Sequence, residues 1–144
     1  MYQIYSNKKI YDTDDISGLH KVKKDFDIFI DLEALEFLEK NKGLLNLKRK
    51  RVLGRLLCFL IMKSPKKFTA NELYKPIWCL NSLPLSQEVS VKTAISRLRS
   101  LIEASEELRY ILKTEPNFLG RRGEYYFNNE VKYCLIRPIG LTLF

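Results

Sequence analysis

The chain has few of the residues that build small reactive centres or membrane segments. It contains three cysteines, one histidine and six glycines in 144 residues, and Cys58, Cys79 and Cys134 lie far apart with no paired histidines. A disulfide scaffold and a structural zinc site are therefore not expected. No apolar run approaches the roughly 20 residues that span a bilayer, and the start MYQIYSNKK has no signal-peptide core. We expect no membrane association, no metal or other cofactor, and a cytoplasmic location.

Catalytic motifs are equally sparse. His20 lies in a poorly patterned segment and is interpreted as a surface residue rather than a general base. No nucleophile motif or glycine-rich phosphate loop occurs. Asp12, Asp14 and Asp15 form an acidic cluster, but their spacing lacks the remaining oxygen ligands of a calcium loop, which favours a solvated turn. The sequence therefore predicts a protein that is not an enzyme.

Positive charge is abundant and unevenly distributed. The formal net charge is +8, and no acidic residue occurs between Glu39 and Glu72. The cations of this stretch are Lys40, Lys42, Lys48, Arg49, Lys50, Arg51, Arg55, Lys63, Lys66 and Lys67. A stretch of one sign attracts polyanions because their binding releases counterions. On charge alone, nucleic acid, an acidic protein or lipid surface, and a merely solvated face all stay open.

The first third of the chain is predicted to form a small antiparallel sheet. Phe26, Ile28 and Ile30 alternate with aspartates, and this period of two is typical of a half-buried strand. Phe29 interrupts the alternation. The stretch from Leu32 to Lys40 also fits a short helix. The candidate strands are 2–5, 10–11, 26–31, 34–38 and 43–47.

Helical periodicity begins at Lys48. Apolar residues recur at spacings of three and four from Val52 to Ile61, Asn46 can cap the start, and Ser64-Pro65 ends this first helix. A second, short helix follows the capping box formed by Thr69 and Glu72. Pro76 is expected to kink or end it.

A third helix is predicted from about Glu88 to Ala104, with an apolar and a polar face. At about 100° per residue, Val91, Ile95, Leu98 and Ile102 share the apolar face. Small hydroxyls and an arginine on the other face let a helix approach base edges in the major groove, which bulky side chains would prevent. The candidate DNA-binding residues on this face and its flanks are Ser90, Lys92, Thr93, Ser96, Arg97, Arg99 and Ser100.

A β-hairpin is predicted after the third helix. Its strands are Tyr110–Thr114 and Glu124–Asn128, and residues 131–136 add a last strand. The connecting turn, PNFLGRRG, carries Arg121 and Arg122, a pair that suits the negative potential of a narrow minor groove. Each feature alone is typical of a solvated surface, but their order and spacing together favour DNA binding.

From Leu56 to about Phe127, the sequence resembles the OmpR/PhoB-type winged-helix output domain of bacterial response regulators. The segment 56–60 (LLCFL) is similar to the LLxFL of that family's first helix. Pro65, Phe68-Thr69, Glu72-Leu73 and Ile77-Trp78 follow the spacing of its P…[FV][ST]xxEL…[VI]W. Val91 and Ile95–Arg99 are similar to its recognition helix, VDxHIxRLRxKL. Tyr125-Tyr126-Phe127 falls where the family's wing closes with GYRF.

The resemblance implies an α+β winged helix-turn-helix with an N-terminal sheet, a three-helix core and a C-terminal hairpin wing. It implies that the third helix reads the major groove, with Thr93, Ser96 and Arg97 facing bases and Arg99 nearer the phosphates. Arg121 and Arg122 would lie on the wing. In the family, the loop between the second and third helices can contact RNA polymerase, and homodimers form on DNA. The corresponding loop here is Leu80 to Gln87, with Leu83, Pro84 and Leu85 as candidate contacts.

The sequence also departs from the family pattern, which indicates a divergent member. Lys92 replaces the usual aspartate, and Lys48–Arg51 stand where the family has an acidic residue early in its first helix. The wing is longer than usual. Residues 1–47 are too few for a receiver domain and lack its acidic phosphorylation cluster.

The sequence thus predicts one compact domain, in which an N-terminal β-region (1–47) packs on a winged-helix region (48–144). Its predicted function is sequence-specific binding of double-stranded DNA for transcription regulation. The alternative is a winged helix reused for protein contact, in which the basic stretch from Lys40 to Lys67 docks an acidic partner.

Overall fold

The structure is a computed structural model that describes residues 1–78, 84–103, 111–116 and 123–140, and these residues form a mixed α+β fold. The strands are β1 (Tyr2–Ser6), β2 (Ile10–Thr13), β3 (Ile28–Asp31), β4 (Glu36–Glu39), β5 (Gly43–Leu44), β6 (Phe68–Thr69), β7 (Leu112–Pro116), β8 (Gly123–Phe127) and β9 (Tyr133–Pro138). The helices are α1 (Ser17–Lys21), α2 (Arg51–Met62), α3 (Ala70–Trp78) and α4 (Pro84–Ile102), with a 3₁₀ turn at Lys23–Asp25. None of the helices described is both long and apolar enough to cross a membrane.

The larger sheet has six strands in the order β2-β1-β9-β3-β4-β5. The last strand, β9, lies between β1 and β3, antiparallel to the first and parallel to the second. The sheet contains strands β1 to β5 in the N-terminal region where strands were predicted. It differs from the prediction in two ways. It takes one strand from the C-terminal part of the chain, and it is mixed rather than wholly antiparallel.

The side chain of Asn7 adds a polar connection between the N-terminal strands and β9. Its Nδ2 donates hydrogen bonds to the carbonyls of Asn129 (2.8 Å) and Val131 (2.7 Å), and its Oδ1 accepts one from the amide of Tyr133 (2.9 Å). A single amide side chain thus satisfies three backbone groups of the segment that enters β9. This long-range contact holds β9 beside β1.

The central strand β3 is buried at all four positions, which explains the irregular Phe29. Ile28 and Ile30 belong to the main core with α2, α3 and α4. Phe29 belongs to a second cluster on the other face of the sheet, against which Ile16 and Leu19 of the α1 region pack. A strand covered on both faces reads as nearly continuous apolar sequence, not as an alternation.

Asp27 ties the start of β3 to its two neighbours. Its Oδ2 accepts the amide of Lys132 (2.9 Å), and its Oδ1 pairs with Nζ of Lys40 (2.9 Å). Partial burial by itself raises the pKa of Asp27, but the hydrogen bond from Lys132 and the Lys40 ammonium act in the opposite direction. Together they hold the pKa of this carboxyl below its ordinary value.

Helix α2 begins at Arg51, later than predicted, and the prediction that Asn46 caps it is wrong. The residue preceding the helix is Lys50, which makes no side-chain capping hydrogen bond. Leu45 and Leu47 are both buried in the main core. Because these two leucines are held by packing, the segment before Arg51 stays outside the helix.

The capping box at the start of α3 is confirmed. The amide of Glu72 donates to Oγ1 of Thr69 (3.3 Å), and the amide of Thr69 donates to Oε1 of Glu72 (3.0 Å). These reciprocal bonds satisfy two amide groups that have no partner within the helix. They also lower the pKa of Glu72, with the Thr69 amide as the largest cause.

Pro76 does not end α3, which continues to Trp78. Nη1 of Arg55 in α2 donates a hydrogen bond of 2.6 Å to the carbonyl of Ile77, so the last turn has an external partner. The rings of Tyr74 and Trp78 stack with centroids 5.0 Å apart. Tertiary contacts thus offset the cost of an internal proline.

Helix α4 is longer than predicted at its start and packs as predicted along its length. It begins at Pro84 and not near Glu88, because proline is well tolerated in the first helical turn. The predicted apolar face is confirmed, and it packs in the main core against α2 and α3. Its buried residues are Val91, Ala94, Ile95, Leu98 and Ile102.

The smaller sheet has the order β6-β8-β7, and its β7–β8 pair matches the predicted hairpin strands. Glu103, just after α4, attaches the helix to this sheet. Its buried Oε1 accepts the amides of Ile111 and Leu112, each at 3.0 Å. One carboxylate oxygen therefore connects the end of α4 to the start of β7.

The capping box predicts a specific loss of stability. Replacing Thr69 with alanine removes the acceptor for the Glu72 amide and is expected to lower the free energy of unfolding by about 1 kcal/mol. Thr93→Ala serves as the control, since Thr93 is exposed within α4, and we expect a change below about 0.5 kcal/mol there. Urea unfolding measures both, and equal effects of the two substitutions would contradict the capping role.

The lowered pKa of Asp27 predicts that its contribution to the free energy of unfolding depends on pH. Because its pKa is lower in the folded protein than the ordinary value of about 3.9, its stabilising effect is complete above that value and declines as pH falls. We expect wild type to exceed Asp27→Asn in free energy of unfolding by a constant amount from neutral pH to about pH 5. The difference should shrink in more acidic buffer. Chemical denaturation across pH tests this, and a difference that does not vary with pH would refute it.

Candidate nucleic-acid interface

The face of α4 opposite the core is exposed and polar. Thr93, Ser96 and Arg97 are exposed, as are Lys92 and Ser100. The buried residues of the same helix alternate with these positions at helical spacing, so the packing of one face determines what the other presents. The three residues predicted to face bases therefore lie together on the outside of the helix.

Arg99 is placed differently from Arg97. It is half-buried, and its Nη2 donates to the carbonyl of Leu112 (3.1 Å) and to Oγ1 of Thr114. These bonds join α4 to β7. Arg99 thus has a bracing role that the sequence pattern did not indicate, and its predicted contact with phosphate stays a prediction.

The remaining candidates on α4 are partly engaged within the fold. Ser90 is half-buried. The hydroxyl of Ser100 donates to the carbonyl of Ser96 at 3.1 Å, and the carbonyl of Ser100 accepts a bond of 2.8 Å from Nζ of Lys42. Among the candidates on α4, Ser90 and Arg99 are thus half-buried, and the others are exposed. That Thr93, Ser96 and Arg97 face bases stays a prediction.

A groove of about 640 Å³ runs between the start of α2 and the outer side of α4. Its cations are Arg49, Lys50, Arg51 and Arg97, and its hydroxyls belong to Ser90 and Thr93. Its apolar lining comes from Val52, Leu53, Trp78, Val89 and Ala94. None of the described residues lining the groove carries a negative charge. The sequence signals for it were the one-sign stretch and the first helix, but their position beside α4 is a tertiary feature.

The basic stretch predicted from the sequence is divided by the fold. Lys40 pairs with Asp27, Lys42 binds the carbonyl of Ser100, and Arg55 is bound to the last turn of α3. These three cations stabilise the structure. They do not belong to the groove.

The other cations of the stretch lie at opposite ends of α2. Arg49–Arg51 line the groove at its start, whereas Lys63, Lys66 and Lys67 are exposed beyond its end. A helix of this length spans about 18 Å. The stretch therefore forms two separate positive regions rather than one patch.

The structure describes only some of the residues predicted to form the wing or to contact RNA polymerase. Arg121, Arg122 and Leu83 lie outside the described residues. Pro84 and Leu85 belong to the first turn of α4 and not to a loop, as described above. Their predicted contact with RNA polymerase stays a prediction.

His20 is partly exposed, with 32% of its side chain accessible, and it also has partners within the fold that the sequence did not indicate. Its Nε2 lies 2.8 Å from Oδ2 of the buried Asp31, and its ring packs edge-on against Phe29. Oδ1 of Asp31 accepts the amides of Glu33 and Ala34. The arrangement connects α1 to β3 and to the turn that follows.

The cysteines and the acidic cluster show no reactive arrangement within the described residues. Cys58 and Cys134 are free and buried, and burial raises the pKa of each thiol to about 12. Cys79 lies outside the described residues. Asp14 approaches the N-terminal amine at 3.8 Å, and Asp15 accepts the amide of Ser17. In the part of the chain that the structure describes, no group of acidic, histidine or cysteine side chains could hold a metal ion.

No protein-family model, curated protein or solved structure matches the chain. The resemblance to the OmpR/PhoB-type output domain therefore stays a prediction from the sequence.

The contrast between Arg97 and Arg99 predicts unequal effects of their substitution on the free energy of unfolding. Arg99→Ala removes charged hydrogen bonds between α4 and β7 and should lower the free energy of unfolding by about 1–3 kcal/mol. Arg97→Ala, at an exposed position on the same helix, should change it by less than about 0.5 kcal/mol. Urea unfolding of the two variants measures both losses. A larger loss of unfolding free energy in Arg97→Ala than in Arg99→Ala would contradict the bracing role of Arg99.

Proposed function

We propose that this protein binds duplex DNA sequence-specifically and regulates transcription, with α4 as a recognition helix in the major groove. In this proposal α2, α3 and α4 form the core of a winged helix-turn-helix, and the β7–β8 hairpin is its wing. The sequence resemblance to OmpR/PhoB-type output domains supports the assignment.

The observation that carries the proposal is the outward face of α4. Thr93, Ser96 and Arg97 are exposed together, while the opposite face of the helix is buried in the core. Residues spaced by three and four lie on one side of a helix, so these three side chains can reach the same stretch of DNA. Small hydroxyls allow close approach, and a guanidinium can bind guanine O6 and N7 together.

The charge distribution favours DNA over an acidic protein partner. The alternative function uses Lys40–Lys67 as one docking surface, but the fold divides those cations between internal bonds and two ends of α2. The positive region beside Arg97 instead adjoins the face proposed to read bases. A net charge of +8 further favours association with a polyanion.

The position of the β7–β8 hairpin supports its proposed role as the wing. Strands β7 and β8 pair up to Pro116 and Gly123, and Arg121 and Arg122 fall in the sequence between them. In the proposed complex these arginines enter the minor groove beside the helix. The brace from Arg99 to β7 would keep the hairpin and the recognition helix in a constant relation.

Arg97 gives the direct test. A preferred duplex is first selected from a random library with the wild-type protein, and its affinity is compared with that of an unrelated duplex by fluorescence anisotropy. Arg97→Ala is expected to weaken binding to the preferred duplex by about 1–3 kcal/mol and to relax its sequence preference. Binding to the unrelated duplex should change much less.

Arg97→Lys is the matched control, since it keeps the charge but loses the planar fork that binds two acceptors. We expect it to retain binding to the unrelated duplex and to lose most of the preference. If the wild-type protein bound no duplex at low salt, or if both variants selected the wild-type site with unchanged affinity, the proposal would be abandoned.

A further inference from the structure

The groove beside α4 has two walls of different chemistry. One wall is the outer side of α4, with Ser90, Thr93 and Arg97, and the other is the start of α2, with Arg49–Arg51. In the proposed function the α4 wall faces base edges. The α2 wall has no role in that assignment, although it holds most of the groove's positive charge.

The α2 wall is not explained by the stability of the fold. Arg49, Lys50 and Arg51 are exposed, and no carboxylate of a described residue pairs with them. Three adjacent cations repel one another, and the described lining of the groove contains no negative charge to offset this. Such a cluster attracts anions, and regularly spaced negative charges would neutralise several of its cations at once.

We propose that Arg49–Arg51 bind the phosphates of the DNA strand that borders the major groove entered by α4. This inference rests on the proposed function and deepens it. A recognition helix in the major groove has a sugar-phosphate backbone on each side, and the groove between α2 and α4 lies beside that helix and is cationic. Lys50 and Arg51 then position the duplex against Arg97, and they act on all sequences alike.

The test compares salt dependence in two double variants with the same loss of charge. Lys50→Ala with Arg51→Ala removes cations from the groove, and Lys63→Ala with Lys66→Ala removes exposed lysines beyond the other end of α2. For each protein the association constant for the preferred and the unrelated duplex is measured over a range of salt concentrations. The slope of its logarithm against that of salt counts the phosphates neutralised, at about 0.9 for each.

The groove variant is expected to lose about two units of slope and to bind both duplexes more weakly by a similar factor, leaving the sequence preference intact. The Lys63 and Lys66 variant should keep the wild-type slope. The pair Lys50→Arg with Arg51→Lys, which keeps both charges, should also retain it. Equal thermal midpoints for all variants exclude a folding defect.

Two results of the slope measurement would overturn the inference while leaving the proposed function intact. One is an unchanged slope in the groove variant despite a loss of preference in Arg97→Ala, and the other is an equal loss of slope at both ends of α2. Failure of the wild-type protein to bind any duplex would overturn the inference and the proposed function together. Loss of sequence preference in the groove variant alone would assign these residues to base reading and would also refute the inference.

Discussion

The burial of one side of α4 is the constraint on which the rest of the structure depends. Val91, Ile95, Leu98 and Ile102 are essentially inaccessible to solvent. Each such burial stabilises the fold by about 1.5–3 kcal/mol, so rotating the helix by half a turn would lose its share of the core and bury a guanidinium instead. The orientation of Arg97 follows from this packing. The proposed DNA-binding face is the side of α4 that the core leaves exposed.

Polar contacts at the C-terminal end of α4 connect this helix to the smaller sheet. Glu103 accepts two amides at the start of β7, and Arg99 donates to the same strand. These bonds attach the C-terminal end of α4 to the start of β7. If the hairpin acts as a wing, these side chains attach its first strand to the helix proposed to read DNA.

Much of the local structure could be predicted from the sequence, because it depends on short-range patterns. The spacing of apolar residues located the main helices, and the Thr69–Glu72 box located the start of α3. The signals that failed are long-range. The place of β9 in the sheet involves pairing with β1 and contacts from Asn7 to residues more than a hundred positions away, and the last turn of α3, past Pro76, is bound by Arg55.

The candidate site was predictable in part for the same reason. Helical periodicity gave the exposed face of α4, but it could not separate Arg97 from Arg99, since their difference lies in whether β7 is within reach. The sequence alone showed the stretch of positive charge between Glu39 and Glu72. Its division into two groups follows from the fold, because α2 separates the cations of the groove from those beyond its other end.

The central claim is that DNA lies against the outer side of α4 and the start of α2. Titrating isotopically labelled protein with its selected duplex and following amide chemical shifts by NMR tests this most directly. We expect the largest changes at Ser90–Arg97 and Arg49–Arg51, with Lys63–Lys67 little affected. Changes confined to the far end of α2 or to the six-stranded sheet would contradict this claim.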